Sequence, residues 1–257
     1  MALPIWILDA LHSEHRSIEK KFWRCVEAQE IVSTLQLVNA LDEQFLLEDI
    51  LEETKPPVPP ECKELHYLYM TPFRYGPYPN GSRFRRSGTT PGVYYASQEP
   101  NTAIIETAFH RLLFYADSPD TPFPNQASKH TTFEVPVNSD KGIVLTEKPL
   151  NDASDLWMHQ TNYGPCQELE EASRSEGIEI ILYASVRDSY HKPNAAILSC
   201  QAFAAKAPIQ YQSWQLLFNK AGMHAICESR GEKFSIAPEQ WKIDERLRHL
   251  DWNLYQR

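Results

Sequence analysis

Apolar residues recur every three or four positions through the first part of the chain. Between residues 17 and 38 these positions are Ile18, Phe22, Val26, Ile31, Leu35 and Leu37, with charged residues among them. Such spacing predicts an amphipathic helix, and a similar pattern predicts a second helix over residues 39–53. The run PPVPP then ends helical structure, because proline fixes φ and lacks an amide proton. We therefore predict a small helical appendage at residues 1–60, packed on a main domain at residues 61–257.

The main domain combines short apolar runs typical of strands with a few helical stretches. The predicted strands cover residues 66–71, 92–97, 131–137, 142–145, 179–186 and 195–204. The predicted helices cover residues 100–115 and 166–176, with a short helix at 214–218 and a packed terminal helix within 238–257. Since regular helices do not separate the strands, a doubly wound parallel sheet fits poorly. The pattern favours an α+β fold with mixed, mainly antiparallel sheets and flanking helices.

The charge of the chain is unevenly distributed. The formal net charge is -9, yet residues 65–98 contain no Asp or Glu. Four arginines lie in this segment, namely Arg74, Arg83, Arg85 and Arg86, of which the last two also fit a solvated loop. A local cationic segment on an acidic protein can capture a small anion, whereas a nucleic-acid groove needs broad positive potential. We expect a small anionic ligand here and no direct nucleic-acid binding.

Missing motifs exclude several kinds of site. Glycine occurs nine times and never as G-x-G, which argues against a Rossmann turn or a P-loop. The nine histidines are scattered singly and H-E-x-x-H is absent, so we predict no metal site. The five cysteines are odd in number and contain no C-x-x-C pair, which is typical of reduced thiols in the cytoplasm. No apolar run approaches the roughly 20 residues that span a bilayer, so we predict a cytoplasmic protein without membrane contact.

Glu106 is a carboxylate among apolar neighbours on a predicted helix. Such a group, partly removed from water, is a candidate for chemistry. The residue pattern alone slightly favours the other interpretation, a half-exposed acid paired with His110 or Arg111 at helical spacing. Tyr95 lies in the preceding predicted strand, where its ring could stack on an aromatic ligand or its hydroxyl could hydrogen-bond a ribose. Tyr94 alternates to the other face of the strand and is expected in the core.

Arginine and serine side chains supply further candidates. Arg74 and Arg83 could each hold a phosphate through the bidentate guanidinium fork. Ser185 ends an apolar strand, where its hydroxyl could donate into a cleft, and Arg187 and Asn194 lie close to it in the sequence. No histidine is predictably placed to activate Ser185, so we interpret it as a hydrogen-bond donor and not as a nucleophile.

Four segments together resemble a known family. They are TPFRY (71–75), GSRFR (81–85), YYASQEPNTAIIE (94–106) and YASVR (183–187). Their order and spacing resemble the RES family, named for its Arg, Glu and Ser, whose members are the toxins of many bacterial toxin–antitoxin pairs. The resemblance covers roughly residues 61–205. Its most specific part runs from Tyr95 to Glu106, because an aromatic residue, a helix start and an acid follow at the expected spacing.

The resemblance implies an ADP-ribosyltransferase-like fold and attack on NAD+ at the bond between nicotinamide and ribose. The implied residues are Glu106, Arg83 and Tyr95 for catalysis and Arg74, Ser185 and Arg187 for substrate binding. NAD+ would be the substrate, and no other cofactor is implied. Glu106 would stabilise positive charge on the ribose or orient the attacking group. Tyr95 would stack on or orient the nicotinamide ribose.

The acceptor and the partners stay open. Water as acceptor gives a glycohydrolase, phosphate a phosphorylase, and a protein side chain a mono-ADP-ribosyltransferase. Of these we favour depletion of NAD+ by the first two. A different class of hypothesis is a binding or assembly module with a degenerate site. The resemblance also implies an antitoxin with an Xre-type helix-turn-helix that blocks the active site, and a homo-oligomer stays open.

Overall fold

The computed structural model of the chain describes residues 4–28, 37–75, 79–88 and 91–253. Its strands are β1 (Arg16–Glu27), β2 (Tyr94–Ser97), β3 (Ser128–Val144), β4 (Ile180–Ala184), β5 (Pro193–Ile197), β6 (Tyr211–Asn219), β7 (Gly222–Cys227) and β8 (Lys233–Ile236). Its α-helices are α1 (Ile5–Ser13), α2 (Leu41–Thr54), α3 (Tyr67–Arg74), α4 (Pro100–Asp117), α5 (Ser154–Trp157), α6 (Gly164–Ser175) and α7 (Pro238–Trp241). A sheet-dominated α+β fold with flanking helices is thus confirmed.

The described strands form one sheet in the order β1-β2-β5-β4-β3-β6-β7-β8. A further pairing joins β1 to β3, so β1, β2, β5, β4 and β3 close into a ring. β1 pairs with β3 along almost its full length but meets β2 only at Trp23 and Ser97. Among the described pairings, only that of β3 with β4 is parallel, which confirms a mainly antiparallel sheet.

The long strand β3 holds the ring and its extension together. One of its edges pairs with β1. The other edge is divided, since residues 128–133 pair with β6 and residues 142–144 pair with β4. The first half of β3 therefore continues the sheet toward β6, β7 and β8, while the second half closes the ring.

Strands β2, β4 and β5 bury both of their faces. Tyr94 and Leu182 point into one apolar cluster, as the sequence predicted for Tyr94. Their chain neighbours Tyr95 and Tyr183 pack in a second cluster that includes Trp157. A third cluster packs α4 against β1 and the extension β6–β8. The face that carries Tyr183 is the one on which the candidate site lies.

The prediction of a helix over residues 17–38 is wrong for the described part of that range. Residues 16–27 form β1, which buries Ile18 and Phe22 on one face and Trp23 and Cys25 on the other. A spacing of four residues suits the two-residue period of a strand as well as a helical turn, so the apolar pattern fits both. Residues 29–36 lie outside the described residues. Because β1 pairs with β2 and β3, the sheet crosses the predicted boundary at residue 60.

The second predicted N-terminal helix is confirmed as α2. Its apolar residues Leu41, Phe45 and Leu46 are exposed, so α2 adds little to the three clusters. An ion pair between Glu52 and Arg74 joins it to α3. None of the helices in the described segments combines the length and apolar character needed to cross a membrane.

Most of the helices and strands predicted for the main domain are confirmed. The predicted helices at 100–115 and 166–176 correspond to α4 and α6, and the predicted strand at 92–97 contains β2. The predicted strands at 131–137 and 142–145 are both parts of β3, and those at 179–186 and 195–204 contain β4 and most of β5.

Three other predictions are wrong. Residues 66–71 lie largely in α3 instead of a strand, and residues 214–218 lie in β6 instead of a helix. The aromatic residues that suggested a strand instead pack α3 onto the domain. Tyr69, for example, stacks on Phe203 with ring centroids 4.5 Å apart. The predicted terminal helix is reduced to α7 and a 3-10 turn at Glu245–Leu247. Residues 254–257 are outside the described residues.

Candidate functional site

Glu106 lies on α4 and is held by two side chains from the opposite side of the site. Ser185 Oγ donates to Glu106 Oε1 over 2.6 Å, and Asn194 Nδ2 donates to the same oxygen over 2.7 Å. Ser185 and Asn194 are fully buried, whereas Glu106 is partly exposed. Neither of these contacts uses Oε2. The carboxylate is therefore fixed through one oxygen and leaves the other for a further contact.

Ser185 follows β4 directly, and the loop after it fixes the direction of its hydroxyl. Its Oγ accepts hydrogen bonds from the backbone amides of Arg187, at 3.2 Å, and Asp188, at 3.0 Å. Since those amides occupy the acceptor side of the hydroxyl, its proton is directed to Glu106. The ring of His191 contacts the carbonyl oxygen of Ser185 and not Oγ, which agrees with a donor role.

The start of α4 is fixed to the same loop. Pro100 occupies the first turn of α4, where its missing amide proton costs nothing. Thr102 Oγ1 donates to Asp188 Oδ2 over 2.6 Å, and both residues are buried. Glu106, one turn further along α4, is therefore held opposite Ser185 by the helix backbone as well as by its own hydrogen bonds.

Tyr183 links the carboxylate to the other predicted residues. It lies in β4, two residues before Ser185, and pairs in register with Asn194 on β5. Burial raises the pKa of the Tyr183 hydroxyl well above its ordinary value, and the charge of Glu106 and the neighbouring Tyr95 raise it further. Arg83 acts on the same hydroxyl in the opposite direction. Geometry agrees, since Phe84, which follows Arg83 and binds the Tyr95 hydroxyl, packs 4.8 Å from the Tyr183 ring, and Asn194 opposite Tyr183 binds Glu106.

Arg83 is buried without an acidic partner among the described residues. Its Nη1 donates to the carbonyl oxygen of Trp157 over 2.7 Å, and its Cζ lies 4.8 Å from the ring centroid of Tyr163. Its Nη2 is buried and has no hydrogen-bond partner in the described part of the chain. A buried cationic donor left unpaired is costly, and a hydrogen-bond acceptor at this nitrogen would remove that cost.

Tyr95 has a structural contact that the sequence did not predict. Its hydroxyl accepts from the amide of Phe84 over 2.9 Å and lies 2.8 Å from Ser82 Oγ. It therefore anchors the loop that carries Arg83. The structure brings Tyr95 to the same neighbourhood as Glu106, but its hydroxyl is already engaged by protein atoms.

Arg74 is not brought to this group by any described contact. Its Nη1 pairs with Glu52 Oε1 at 2.6 Å, and its Nε donates to the carbonyl oxygen of Pro56 over 2.6 Å. Two of its nitrogens thus hold the N-terminal segment to α3, which speaks against the predicted role in substrate binding. Arg85, for which a solvated loop was also considered, is buried and donates to the carbonyl oxygen of Tyr75.

Arg187 belongs to a charged network that sequence reasoning missed. Its Cζ lies 3.8 Å above the Phe109 ring on α4, and its Nη2 donates to Tyr163 Oη over 3.0 Å. Asp244 bridges Arg187 and Arg246, both of which also donate to Tyr163 Oη. The only sequence signal was the spacing of Asp244 and Arg246, which suggests an Asx turn and nothing more.

The charges in this network shift one another's pKa. Burial lowers the pKa of Arg187, although Tyr163, Asp244 and Glu106 act in the opposite direction. Burial also acts to raise the pKa of Asp244, but the hydrogen bond from Arg246 and the charge of Arg187 outweigh it and leave that pKa below its ordinary value. Asp244 therefore stays ionised and keeps both guanidinium groups beside Phe109.

A cavity of about 270 Å³ lies next to the site. Its lining residues are Leu145, Thr146, Asn151, Ser154, Trp157, Met158 and Ala184. It meets the site through Trp157, whose carbonyl oxygen binds Arg83, and through Ala184, which precedes Ser185. Glu106 does not line it. Over the described residues, no three His, Cys, Asp or Glu side chains converge as metal ligands.

Comparisons with known proteins identify a family. The family model described as RES domain matches residues 58–219. A comparison with curated protein sequences found no match. Among solved structures, the M. tuberculosis MbcT-MbcA toxin-antitoxin complex contains a chain with 12% sequence identity, which aligns over 83% of this chain and 91% of that one with a TM-score of 0.45. That likeness is too low to support an argument about activity.

Proposed function

This chain belongs to the RES domain family, and from that premise we propose that it cleaves the bond between nicotinamide and ribose in NAD+. Cellular NAD+ would be depleted, with water or phosphate as the acceptor. The domain would then have the ADP-ribosyltransferase-like character that the sequence resemblance implies. NAD+ is the substrate in this proposal and no resident cofactor takes part.

The observation that carries the proposal is the fixed carboxylate of Glu106. Ser185 and Asn194 hold its Oε1 at 2.6 and 2.7 Å, and neither contact uses Oε2. A group whose direction is set before substrate binds does not have to reorganise as charge develops, which is the main source of electrostatic stabilisation in enzymes. Arg83, with a buried and unpaired Nη2, shares the neighbour Tyr183 with this carboxylate.

These residues suit a reaction that builds positive charge on a sugar. When the bond between C1 of the ribose and the nicotinamide nitrogen breaks, the bonding pair leaves with nicotinamide and neutralises its ring. The ribose then carries oxocarbenium character, which a nearby carboxylate stabilises. With water as acceptor, the water oxygen bonds to C1 and a proton is released, giving ADP-ribose and nicotinamide. Glu106 Oε2 would face the developing cation or orient the water.

Arg83 would hold the anionic part of the substrate. Its planar fork matches a phosphate better than the point charge of lysine would. The carbonyl of Trp157 and the Tyr163 ring fix its position. Tyr95, whose hydroxyl anchors the loop of Arg83, would offer its ring to the substrate and not its hydroxyl.

In the cell, we propose a toxin of a bacterial type II toxin–antitoxin system that acts in the cytoplasm. Depletion of NAD+ stops growth, so the activity must be restrained by a partner. The family resemblance implies an antitoxin of the Xre helix-turn-helix type that blocks the entrance of the active site. Direct binding of nucleic acid by this chain is not part of the proposal.

The test is to incubate the purified protein with NAD+ and to resolve the products by chromatography, with and without phosphate. Glu106→Gln keeps the shape of the side chain and its Oε1 acceptor but removes the charge, so we expect cleavage to fall by roughly 10²–10³-fold. Asp117→Asn is the matched control, since Asp117 is an exposed acid on the same helix, and should cleave like the wild type.

The products distinguish the reactions. Free ADP-ribose indicates hydrolysis, and ADP-ribose 1-phosphate formed only with phosphate indicates phosphorolysis. Label retained on protein would indicate a mono-ADP-ribosyltransferase instead. Intact NAD+ with both wild type and Glu106→Gln would overturn the proposal and favour a non-catalytic assembly module. Induced expression in a bacterial host gives a parallel test, because growth arrest by the wild type should be relieved by Glu106→Gln.

A further inference from the structure

The C-terminal segment reaches the candidate site although it lies outside the residues of the family match. The turn Glu245–Leu247 packs on α4 and buries Leu247 in the cluster that also holds that helix. Asp244 precedes the turn and caps it, since its Oδ1 accepts from the amide of Arg246 over 3.0 Å. The segment therefore brings one acid and one arginine to the wall beside Phe109, one turn along α4 from Glu106.

Hydrogen bonds hold Arg246 in place without using all of its N–H donors. Its Nε donates to Asp244 Oδ1 over 3.0 Å, and its Nη2 donates to the carbonyl oxygen of Gln160 and to Tyr163 Oη, each over 3.1 Å. None of these contacts uses Nη1. The side chain is 31% exposed, so solvent or a ligand can reach it.

Arg187 belongs to the same hydrogen-bond network but is less exposed than Arg246. Its Nη1 pairs with Asp244, and its Nη2 donates to the carbonyl oxygen of Gln160 and to Tyr163 Oη. The side chain is only 5% exposed and covers the Phe109 ring. Arg187 is therefore a positioning residue. Two guanidinium charges share the single carboxylate of Asp244, which leaves the network with net positive charge.

Arg83 and Arg246 both lie close to the ring of Tyr163. Their Cζ atoms lie 4.8 and 5.6 Å from the ring centroid of Tyr163, so their separation cannot exceed the sum of these distances. Arg83 has Nη2 without a partner among the described residues, and Arg246 has Nη1 outside all the contacts above. One buried, unpaired nitrogen of Arg83 and the partly exposed guanidinium of Arg246 thus lie beside one tyrosine.

We propose that Arg83 and Arg246 form a two-armed clamp for the pyrophosphate of a dinucleotide. Each phosphate group takes one guanidinium fork, which is the geometry that arginine provides and lysine does not. Arg246 takes the role of the second phosphate-binding arginine, which the sequence motifs suggested for Arg74. Arg74 is instead paired with Glu52. The clamp rests on the proposed function in one respect, namely that the anion belongs to NAD+.

The test measures binding of ADP, which carries a pyrophosphate, and of adenosine, which carries none, by isothermal titration calorimetry. Arg246→Met removes one arm, and we expect ADP to bind about 10–100-fold more weakly, since a charge-assisted hydrogen bond contributes roughly 1.5–3 kcal/mol. Adenosine should bind the variant and the wild type alike. Arg248→Met is the matched control, because Arg248 is exposed two residues further along and should leave ADP binding unchanged.

Kinetics with NAD+ supply a second readout. Arg246→Met should raise KM about 10–100-fold with little change in kcat, because the pyrophosphate is bound equally in the ground and transition states. Arg246→Lys keeps the charge but loses the fork, so it should lie between the wild type and Arg246→Met. Melting temperatures of all variants identify any that fail to fold, in which case Arg246→Lys alone decides through its ADP affinity.

The outcomes separate this inference from the proposed function. ADP binding that depends on Arg246 but not on Arg248, with NAD+ left intact, supports the clamp and rejects NAD+ cleavage. NAD+ cleavage with equal ADP affinity in the wild type and Arg246→Met rejects the clamp and leaves the cleavage proposal standing. Absence of measurable ADP binding to the wild type at millimolar concentration also rejects the clamp.

Discussion

The hydroxyl of Ser185 donates to Oε1 of Glu106 over 2.6 Å, although the two residues are 79 positions apart in the chain. The same hydroxyl accepts from the amides of Arg187 and Asp188 in the loop after β4. The conformation of that loop therefore fixes the hydroxyl, and the hydroxyl in turn fixes the carboxylate on α4. The site therefore depends on a residue that need not touch the substrate.

Replacing Ser185 tests this dependence. Ser185→Ala removes the donor to Glu106 and leaves the amides of Arg187 and Asp188 without their acceptor. We expect kcat for NAD+ to fall about 10–100-fold, because small displacements of a catalytic group have effects of that size. Unfolding in urea should show a loss of about 1–3 kcal/mol, the cost of unsatisfied buried amides.

A control for Ser185→Ala is Ser199→Ala. Ser199 also accepts from a backbone amide, that of Gln201, where it caps a 3-10 turn. Its loss should cost about 1 kcal/mol of stability and leave kcat unchanged. Equal kcat values for the two variants would contradict the positioning role of Ser185.

Arg74 is expected to matter for stability and not for activity. Arg74→Met removes the ion pair with Glu52 and the hydrogen bond to Pro56, which tie α2 to α3. Loss of the buried hydrogen bond should lower the free energy of unfolding by about 1–2 kcal/mol. kcat/KM for NAD+ should stay within about twofold of the wild type, and a loss as large as that of Arg83→Met would restore Arg74 to the site.

His130 gives the fold a pH dependence. It is buried on β3, and its Nδ1 lies 3.2 Å from the carbonyl oxygen of Ser128, so the neutral ring carries its proton there. Burial lowers the pKa of His130, with Arg111 acting in the same direction and the Ser128 hydrogen bond and Glu27 opposing it. The unfolded chain, with a His pKa of about 6.5, therefore binds this proton more readily than the folded chain does.

The stability that His130 contributes is fully present above about pH 6.5 and is lost as the pH falls toward its folded pKa. Urea unfolding between pH 7 and pH 5 should show a decline of at most about 1.4 kcal/mol per pH unit from this group. His130→Gln should flatten that decline, whereas the exposed His249→Gln should not. Identical slopes for His130→Gln and the wild type would reject this explanation.

Gly92 is expected to tolerate no side chain. A Cβ at this position would lie 1.8 Å from the carbonyl oxygen of Pro72 and 2.9 Å from Phe73 Cα, both backbone atoms of α3. Gly92→Ala should cost more than the roughly 1–3 kcal/mol usual for overpacking, because a helix backbone has to move. Gly164→Ala is the control, since the nearest atom is the amide oxygen of Asn162 at 3.3 Å. Thermal unfolding of both variants measures the difference.

The parts of the fold that the sequence predicted correctly have a single dominant signal. Helix α4 starts with Pro100 and continues a 3.6-residue pattern for 18 residues, which a strand cannot imitate. Strand β1 has no such signal. Ile18, Phe22 and Val26 are spaced by four, which suits a helix and one face of a strand, and only pairing with β3 decides between them.

The site was predictable to the extent that its residues lie in recognisable segments. Glu106, Arg83, Tyr95 and Ser185 were singled out this way. They lie around Tyr183, and their role in a reaction stays a prediction. The network of Tyr163, Asp244 and Arg246 was not predicted, because it is formed by contacts between the residue before α6, a C-terminal turn and α4 that leave no local pattern. Arg74 was also singled out from a local motif, and a local motif cannot show that its ion-pair partner lies in α2.

The closed ring of strands has a practical consequence for work with this chain. A shortened protein that begins at residue 58, where the family match begins, would lack β1. Removing β1 would leave β2 and the long edge of β3 with unpaired backbone groups, which are templates for edge-to-edge aggregation. Sequence boundaries and the cooperative folding unit therefore differ here, and soluble material calls for the N-terminal residues to be retained.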